Sequence, residues 1–145
     1  MDHHAKYPAI QDLKARAERR IPKFVWEYLD SATGKEATLR RNRAALDRVL
    51  FTPSILHGEL PVDLSTTLCG KDYALPVGIS PVGMSGLIWP DAERKLARAA
   101  TKAGIPYSIS TVATRTPEEV APHLNGNGWF QMYPPRDTKI RDDML

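Results

Sequence analysis

Two tyrosines, Tyr28 and Tyr133, stand far apart in this chain, and each carries a side chain that can serve a ligand. A phenol has an ordinary pKa near 10, so at working pH it is a neutral hydrogen-bond donor. Taken singly, each also reads as an ordinary amphipathic core residue. Gln131 closes the apolar run Gly128-Trp129-Phe130-Gln131-Met132-Tyr133, and a strand built for burial does not carry an amide unless that amide has partners. Ser110 ends another apolar run, where serine is common. Between them in kind lies Ser80-Pro81-Val82-Gly83-Met84-Ser85-Gly86-Leu87. Its glycines allow a backbone to approach a flat ligand closely, or simply turn a strand into a helix. The adjacent His3 and His4 read as a terminal tail rather than a metal pair, and the single Cys69 permits no intrachain disulfide and suits a small apolar strand position.

The elements that must hold these residues fall into two stretches. Ile10, Leu13 and Ala17 recur at helical spacing and predict a helix from Ile10 to Arg20, ending before Pro22. Pro22 suits the first turn of a second helix, Lys23 to Leu29. A third is expected from Glu36 to Val49, with Leu39, Ala44, Leu46 and Val49 facing inward. Beyond Pro53, residues Leu60 to Ser65 read as extended. Thr66 to Cys69 and Tyr73 to Pro76 are expected to form a hairpin around a Gly70-Lys71-Asp72 turn. Three strand–helix repeats follow. Their strands are Val77 to Ser80, Ile105 to Ser110 and Gly128 to Tyr133. Their helices are Asp91 to Ala103 with Leu96, Ala99, Ala100 and Ala103 on one face, a helix capped by Thr116, and Asp137 to Leu145. The expected division is a helical segment and lead-in over 1–66 and an α/β region over 67–145.

Alternating strands and helices indicate a parallel α/β sheet. No G-x-G-x-x-G follows the first strand, so the dinucleotide fingerprint of a doubly wound sheet is missing. Periodicity alone leaves a wound sheet and a (β/α)₈ barrel both open. A barrel takes about 250 residues, and the chain stops inside the third helical pattern, so three units would leave an open sheet edge and an uncovered inner face.

Composition narrows the class of protein. With 42% hydrophobic and 26% charged residues, the chain is ordinary for a globular domain. Lys and Arg exceed Asp and Glu by 20 to 17, which argues against nucleic-acid binding. Basic residues gather at Lys14–Arg20 and Arg40–Arg43, where they could meet an anionic membrane or an acidic partner, but acidic residues interleave the region. The N-terminus lacks the apolar core of a secretory signal, and no stretch is long enough to span a bilayer, so a cytoplasmic location is expected, with peripheral attachment to the inner membrane left open.

Five motifs in order carry a resemblance: Tyr28-Leu29-Asp30-Ser31, Thr38-Leu39-Arg40-Arg41-Asn42, Ser80 to Leu87, Ser110-Thr111-Val112-Ala113-Thr114 and Trp129-Phe130-Gln131-Met132-Tyr133. Together the chain resembles the FMN-dependent 2-hydroxy-acid oxidase and dehydrogenase family. It is most similar to the bacterial L-lactate dehydrogenases linked to a quinone or cytochrome, through Ile109-Ser110-Thr111-Val112 and Glu118-Glu119-Val120-Ala121-Pro122. The resemblance implies N-terminal helices followed by the first three βα units of a TIM (β/α)₈ barrel, incomplete in this chain. It also implies FMN as cofactor, with Pro81, Val82 and Gly83 against the flavin ring and a backbone N–H facing the reactive nitrogen. Ser110 and Gln131 match positions that bond the flavin's polar edge. Tyr133 matches the tyrosine that donates to the substrate hydroxyl oxygen, and Tyr28 the one that binds its carboxylate.

By the same resemblance, the catalytic histidine, a carboxylate-binding arginine, a lysine near the flavin and the phosphate-binding loops lie downstream of Leu145. None of His3, His4, His57 and His123 falls at the base position. The expected partners are a small 2-hydroxy acid, the remaining C-terminal part of the same enzyme, further copies in a homo-oligomer, and a quinone or cytochrome as electron acceptor. Alone, the chain is expected to be inactive. Two departures bear on the choice of acid: Ala32 and Thr33 stand where the family has Gly-Ala, and Pro134-Pro135 stiffens the loop after the third strand. The competing readings are a non-catalytic scaffold derived from such a barrel, and another FMN-binding barrel enzyme such as an isomerase.

Overall fold

Proline punctuation and helical spacing shape the first part of the chain. In the computed structural model, which describes residues 3–56, 58 and 61–144, the one-turn helix α1 (His3–Lys6) precedes α2 (Ile10–Arg20), α3 (Lys23–Asp30) and α4 (Ala37–Asp47). The expectations that touch His57, Leu60 and Leu145 lie outside the described residues. Pro22 stands at the N-cap of α3, and its carbonyl accepts from the Val25 and Trp26 amides at 2.9 Å each. Asp12 reaches back to the Ala9 N–H at 3.0 Å, a first-turn carboxylate using an otherwise orphan donor. Lys14 joins α2 to α3: its ammonium meets Asp30 at 2.5 Å and lies over the Trp26 ring.

This helical unit, Met1–Pro61, buries little. Among its described residues Val25 alone is buried. The expected inward face of α4 is corrected here, since Leu39, Ala44, Leu46 and Val49 are all exposed and the helix ends before Val49. Amphipathic helices bury a face only against a second apolar surface, and within this unit α4 finds none.

The second unit, Val62–Leu145, starts from a hairpin. Strands β1 (Thr66–Leu68) and β2 (Lys71–Tyr73) are antiparallel with Leu68 opposite Lys71. That register makes Cys69-Gly70 the two-residue turn, and both have positive φ, 51° and 76°, as a type I′ turn requires. The expected Gly70-Lys71-Asp72 turn is thus shifted, with Lys71 and Asp72 inside a strand.

Helix α5 (Ser85–Ile88) and helix α6 (Ala92–Ala103) come next, followed by β3 (Tyr107–Ser110), α7 (Pro117–Val120), a 3-10 turn at Ala121–His123, β4 (Gly128–Gln131) and α8 (Thr138–Met144). Strands β3 and β4 are parallel, with Ser108 opposite Trp129 and Ser110 opposite Gln131. The expected strand Val77 to Ser80 shrinks to one parallel bridge, Ile79 to Tyr107. Its rungs run from the Ile79 amide to Pro106 O and from the Ser108 amide to Ile79 O, each 2.9 Å. The next rung would need an N–H on Pro81, and proline has none.

Helix α6 buries Ala92, Glu93, Ala97 and Ala100, with Leu96 partly covered, while Ala99 and Ala103 are exposed. The inward stripe is therefore rotated from the one expected. Ala97 and Ala100 bring the helix close to the sheet, and with Tyr107, Ile109 and Val120 they form the core. Gly104 ends α6 at φ 66°, and the Ile105 amide closes the turn onto Ala100 O at 3.0 Å. Thr116 caps α7 with a capping box to Glu119. Burial pushes the Tyr107 hydroxyl up to about 12, helped by the nearby Glu93 charge.

Candidate functional site

The parallel register decides which side chains share a face. Residues alternate across a strand, so Tyr107 and Ile109 point to the helices and Ser108 and Ser110 point to the opposite face. Their partners Trp129 and Gln131 share that second face. Ser110 is only 5% exposed, and its hydroxyl donates to Gln131 Oε1 at 3.2 Å while accepting from the Val112 amide at the same distance. The Gln131 amide oxygen thus has a partner, although β4 itself is largely exposed rather than the buried strand expected. Among the described residues, the Gln131 Nε2 group donates to none.

Below this pair, toward the strand N-termini, Trp129 donates its indole N–H to the Tyr73 hydroxyl at 3.1 Å. That bond, with Lys71 Nζ to Gly126 O at 2.5 Å, seats the hairpin against the strands. A cleft of about 300 Å³ opens on the same face. Pro76, Val77, Ile79, Pro81 and Trp129 give it an apolar lining, and Ser80 and Ser108 add hydroxyls. Ser110, Gln131 and Tyr133 do not line it.

The six residues expected to serve the ligand in this unit sit at one end. Pro81, Val82 and Gly83 follow the Ile79 bridge, and Ser110 and Gln131 end β3 and β4. Tyr133 lies two residues beyond β4 rather than in it, and is 61% exposed. Its amide donates to Thr111 Oγ1 at 3.2 Å, and the Thr111 hydroxyl in turn bonds Gln131 O. Thr111 therefore fixes the backbone that carries Tyr133. Tyr28 stands on α3 of the helical unit and is 49% exposed.

Two further groups brace the strand-end loops, and neither was singled out in the sequence. Asp91, Arg94, Arg98, Arg115 and Glu119 form a partly exposed ion network, with Arg94 to Glu119 at 2.7 Å and Arg115 to Glu119 at 3.2 Å. It joins the start of α6 to the start of α7. The Thr116 amide, then Arg115 and Arg94, hold the Glu119 carboxyl below its usual range. The second is Glu93, fully buried, whose Oε1 accepts from the Thr114 amide at 2.9 Å and the Thr114 hydroxyl at 2.7 Å. A signal was available: at positions 93, 96, 97 and 100, a carboxylate sits on the apolar stripe of the helix. Among the described residues, no group of three or more His, Cys, Asp or Glu gathers to hold a metal, and no helix is long and apolar enough to cross a membrane.

Comparison with known proteins bears on the ligand. Residues 17–145 match the family model described as FMN-dependent dehydrogenase. The L-lactate dehydrogenases of Ectopseudomonas mendocina (strain ymp) and Stenotrophomonas maltophilia (strain K279a) are each 40% identical over 129 residues, covering 89% of this chain and 34% of their own length. The chain thus spans about a third of these curated relatives. Among solved structures, mandelate oxidase with 3,3-difluoro-2-hydroxy-3-phenylpropionic acid is 36% identical with a TM-score of 0.85, covering 95% of this chain and 41% of its own. An oxidised active mutant of (S)-mandelate dehydrogenase is 34% identical with a TM-score of 0.82, covering 93% of this chain and 38% of its own.

Proposed function

The chain belongs to the FMN-dependent dehydrogenase family, whose cofactor is FMN, and from that premise we propose that it is the N-terminal part of an L-2-hydroxy-acid dehydrogenase acting on L-lactate. In this reading it forms the N-terminal helices and first three βα units of an eight-stranded barrel. The observation that carries the reading is the inward-facing pair of Ser110 and Gln131 at the strand ends, beside the loop that begins at Pro81. In a barrel that end is where chemistry is built.

When bound, FMN would supply the hydride acceptor for oxidation of the carbon that bears the substrate hydroxyl. The residues of this chain bind and orient. Pro81, Val82 and Gly83 form the backbone surface under the ring, since a proline and a glycine present little bulk there. Gln131 offers Nε2 to the flavin's polar edge, and Ser110 holds the Gln131 carbonyl so that the amide points one way. Tyr133 donates a hydrogen bond to the substrate hydroxyl oxygen, and Tyr28 donates one to the carboxylate.

The proton acceptor, the carboxylate-binding arginine and the phosphate site come from the remaining part of the barrel, so this chain alone is inactive and a second polypeptide or a covalent continuation complements it. The exposed Val77, Trp129, Phe130 and Leu87 support this, because they are surfaces a continued barrel would cover. The complete enzyme is a homo-oligomer in the cytoplasm that passes electrons to a quinone or cytochrome, with the basic stretches of α2 and α4 suited to peripheral contact with an anionic membrane.

A direct test joins this chain to the remainder of the Ectopseudomonas mendocina relative and records the absorbance spectrum under anaerobic conditions. The reading expects a bound flavin whose oxidised band bleaches when L-lactate is added. A flavin that stays oxidised with every 2-hydroxy acid offered would reject the activity, and a colourless, folded protein would reject the site.

A further inference from the structure

The roles assigned so far leave one buried carboxylate without a task. Glu93 is the second residue of α6, and its side chain is wholly shielded from solvent beneath the loop 81–86. Three donors converge on its Oε1: the Thr114 hydroxyl at 2.7 Å, the Thr114 amide at 2.9 Å and the Gly86 amide at 3.3 Å. Gly86 lies in the one-turn helix α5, at the end of the segment that follows the Ile79 bridge, and Thr114 in the loop after β3. A single oxygen therefore ties together two loops that leave neighbouring strands.

The tie is unusually close. A Cβ on Gly86 would collide with Thr114 Oγ1 and lie 3.0 Å from Thr114 Cβ and 3.2 Å from its Cγ2, so the two loops touch through the absent side chain. Met84, between Gly83 and Gly86, is held at φ 51°, a left-handed conformation that a residue with a side chain adopts at a cost. Its amide donates to Val112 O at 2.8 Å, a second link to the same neighbouring loop. Ser85 Oγ and Glu93 Oε2 are buried without hydrogen-bond partners among the described residues. Burying a carboxylate is costly unless hydrogen bonds hold it, and a fold keeps such a group where it fixes geometry. Here it fixes the segment that begins at Pro81.

We propose that Glu93, acting through Thr114, is the positioning residue that holds the loop 81–86 in the one conformation that presents its backbone to the flavin ring. Because this rests on the FMN reading above, the test has one arm that needs no flavin. A strained loop released from its ties samples other conformations, and each of these withdraws the backbone N–H from the ring. Glu93 touches neither cofactor nor substrate. Its effect passes through Thr114, Gly86 and the peptide bonds between Gly83 and Gly86.

The joined protein described above is made as wild type, T114V, T114S and E93Q. T114V keeps the shape and removes the hydroxyl donor, T114S restores it, and E93Q keeps an acceptor while removing the charge. In the flavin-free protein, amide hydrogen exchange of the peptide covering 81–86 is expected to rise about tenfold in T114V, with E93Q between it and wild type, as expected for loss of one hydrogen bond to a charged group. T114S should exchange like wild type. In the FMN arm, affinity read by flavin fluorescence should fall by about the same factor in T114V and recover in T114S. Exchange in T114V equal to wild type, or unaltered FMN affinity, or no rescue by T114S, would overturn the proposal. A wild-type protein that takes up no FMN would instead refute the function reading and the flavin half of this one, with the exchange arm still deciding whether Glu93 holds the loop.

Discussion

Gly86→Ala is the substitution whose cost the structure allows to be worked through. The new methyl group would occupy the space of Thr114 Oγ1, with Thr114 Cβ and Cγ2 at 3.0 and 3.2 Å. Rotating χ1 can turn the Thr114 Hβ toward the new methyl, but Cβ itself stays at 3.0 Å and the rotation breaks the hydroxyl bond to Glu93. The loops must separate, which for overpacking of this kind costs about 1–3 kcal/mol. Separation also stretches the Thr114 hydroxyl bond to Glu93, now 2.7 Å, and a hydrogen bond to a charged group contributes about 1.5–3 kcal/mol. Taking the low half of both ranges gives about 3 kcal/mol of destabilisation. With a urea dependence of about 3 kcal/mol/M for a protein of this size, the unfolding midpoint should fall by about 1 M. The measurement is urea unfolding of the joined protein followed by tryptophan fluorescence. A cycle with T114A sharpens it: once the Thr114 side chain is gone, G86A should cost little more, so the double variant should be far less destabilised than the sum. Additive effects, or a G86A midpoint within about 0.2 M of wild type, would show that Thr114 does not fill that space and would refute the packing argument.

Other outcomes follow from the same coordinates. Lowering the pH should weaken the fold through Glu93. Burial is the largest influence and raises its pKa, but the Thr114 hydroxyl and the backbone amides outweigh it and leave the carboxyl below its ordinary 4.5. A depressed folded pKa means the unfolded chain binds the proton first, so the stabilisation is full above 4.5 and is lost as pH falls through the folded value. E93Q should flatten that part of a stability–pH curve, and an identical curve would sink the idea. V120A should cost about 2 kcal/mol in urea unfolding, since two buried carbons leave a fully enclosed site; a loss under about 0.5 kcal/mol would mean the core collapses around it. Q131L should weaken FMN binding about tenfold by removing the amide and stranding the Ser110 hydroxyl; unchanged affinity would remove Gln131 from the site. Y133F should lower kcat about a hundredfold with FMN affinity unchanged, and equal kcat would free Tyr133 from its assigned role.

Local signals in the sequence located the elements wherever the chemistry was local. Pro22, Gly104 and Thr116 mark helix boundaries through missing donors, positive φ and side-chain capping, and all three do so in the structure. Turn register was less legible. The hairpin pivots on Cys69-Gly70 because a non-glycine residue adopts positive φ there, a choice that strand pairing rather than local preference makes. The shortening of the first strand was visible in Pro81, whose missing N–H ends the ladder. The inward face of α4 was not legible, because amphipathicity states which side wants burial and not whether a surface is present to bury it.

The site divides in the same way. Gln131 announced itself as an amide in an apolar strand, and its partner Ser110 sits opposite it by register. Glu93 left a weaker signal, a carboxylate on the apolar stripe of α6, and only the structure shows the loops it ties together. Thr114 and Thr111 read as loop hydroxyls, yet one bonds a buried carboxylate and the other fixes the backbone that carries Tyr133. Such contacts join loops distant in sequence, and nothing in the periodicity of either loop encodes them.

The central claim is that this chain forms one wall of an FMN site, and a crystal structure of the FMN-loaded joined protein tests it most directly. The account expects the isoalloxazine ring against the backbone of Pro81, Val82 and Gly83, with Gln131 Nε2 within hydrogen-bond distance of its polar edge and Tyr133 over the same ring. A flavin bound elsewhere, with this face filled by side chains of the remaining barrel, would contradict it.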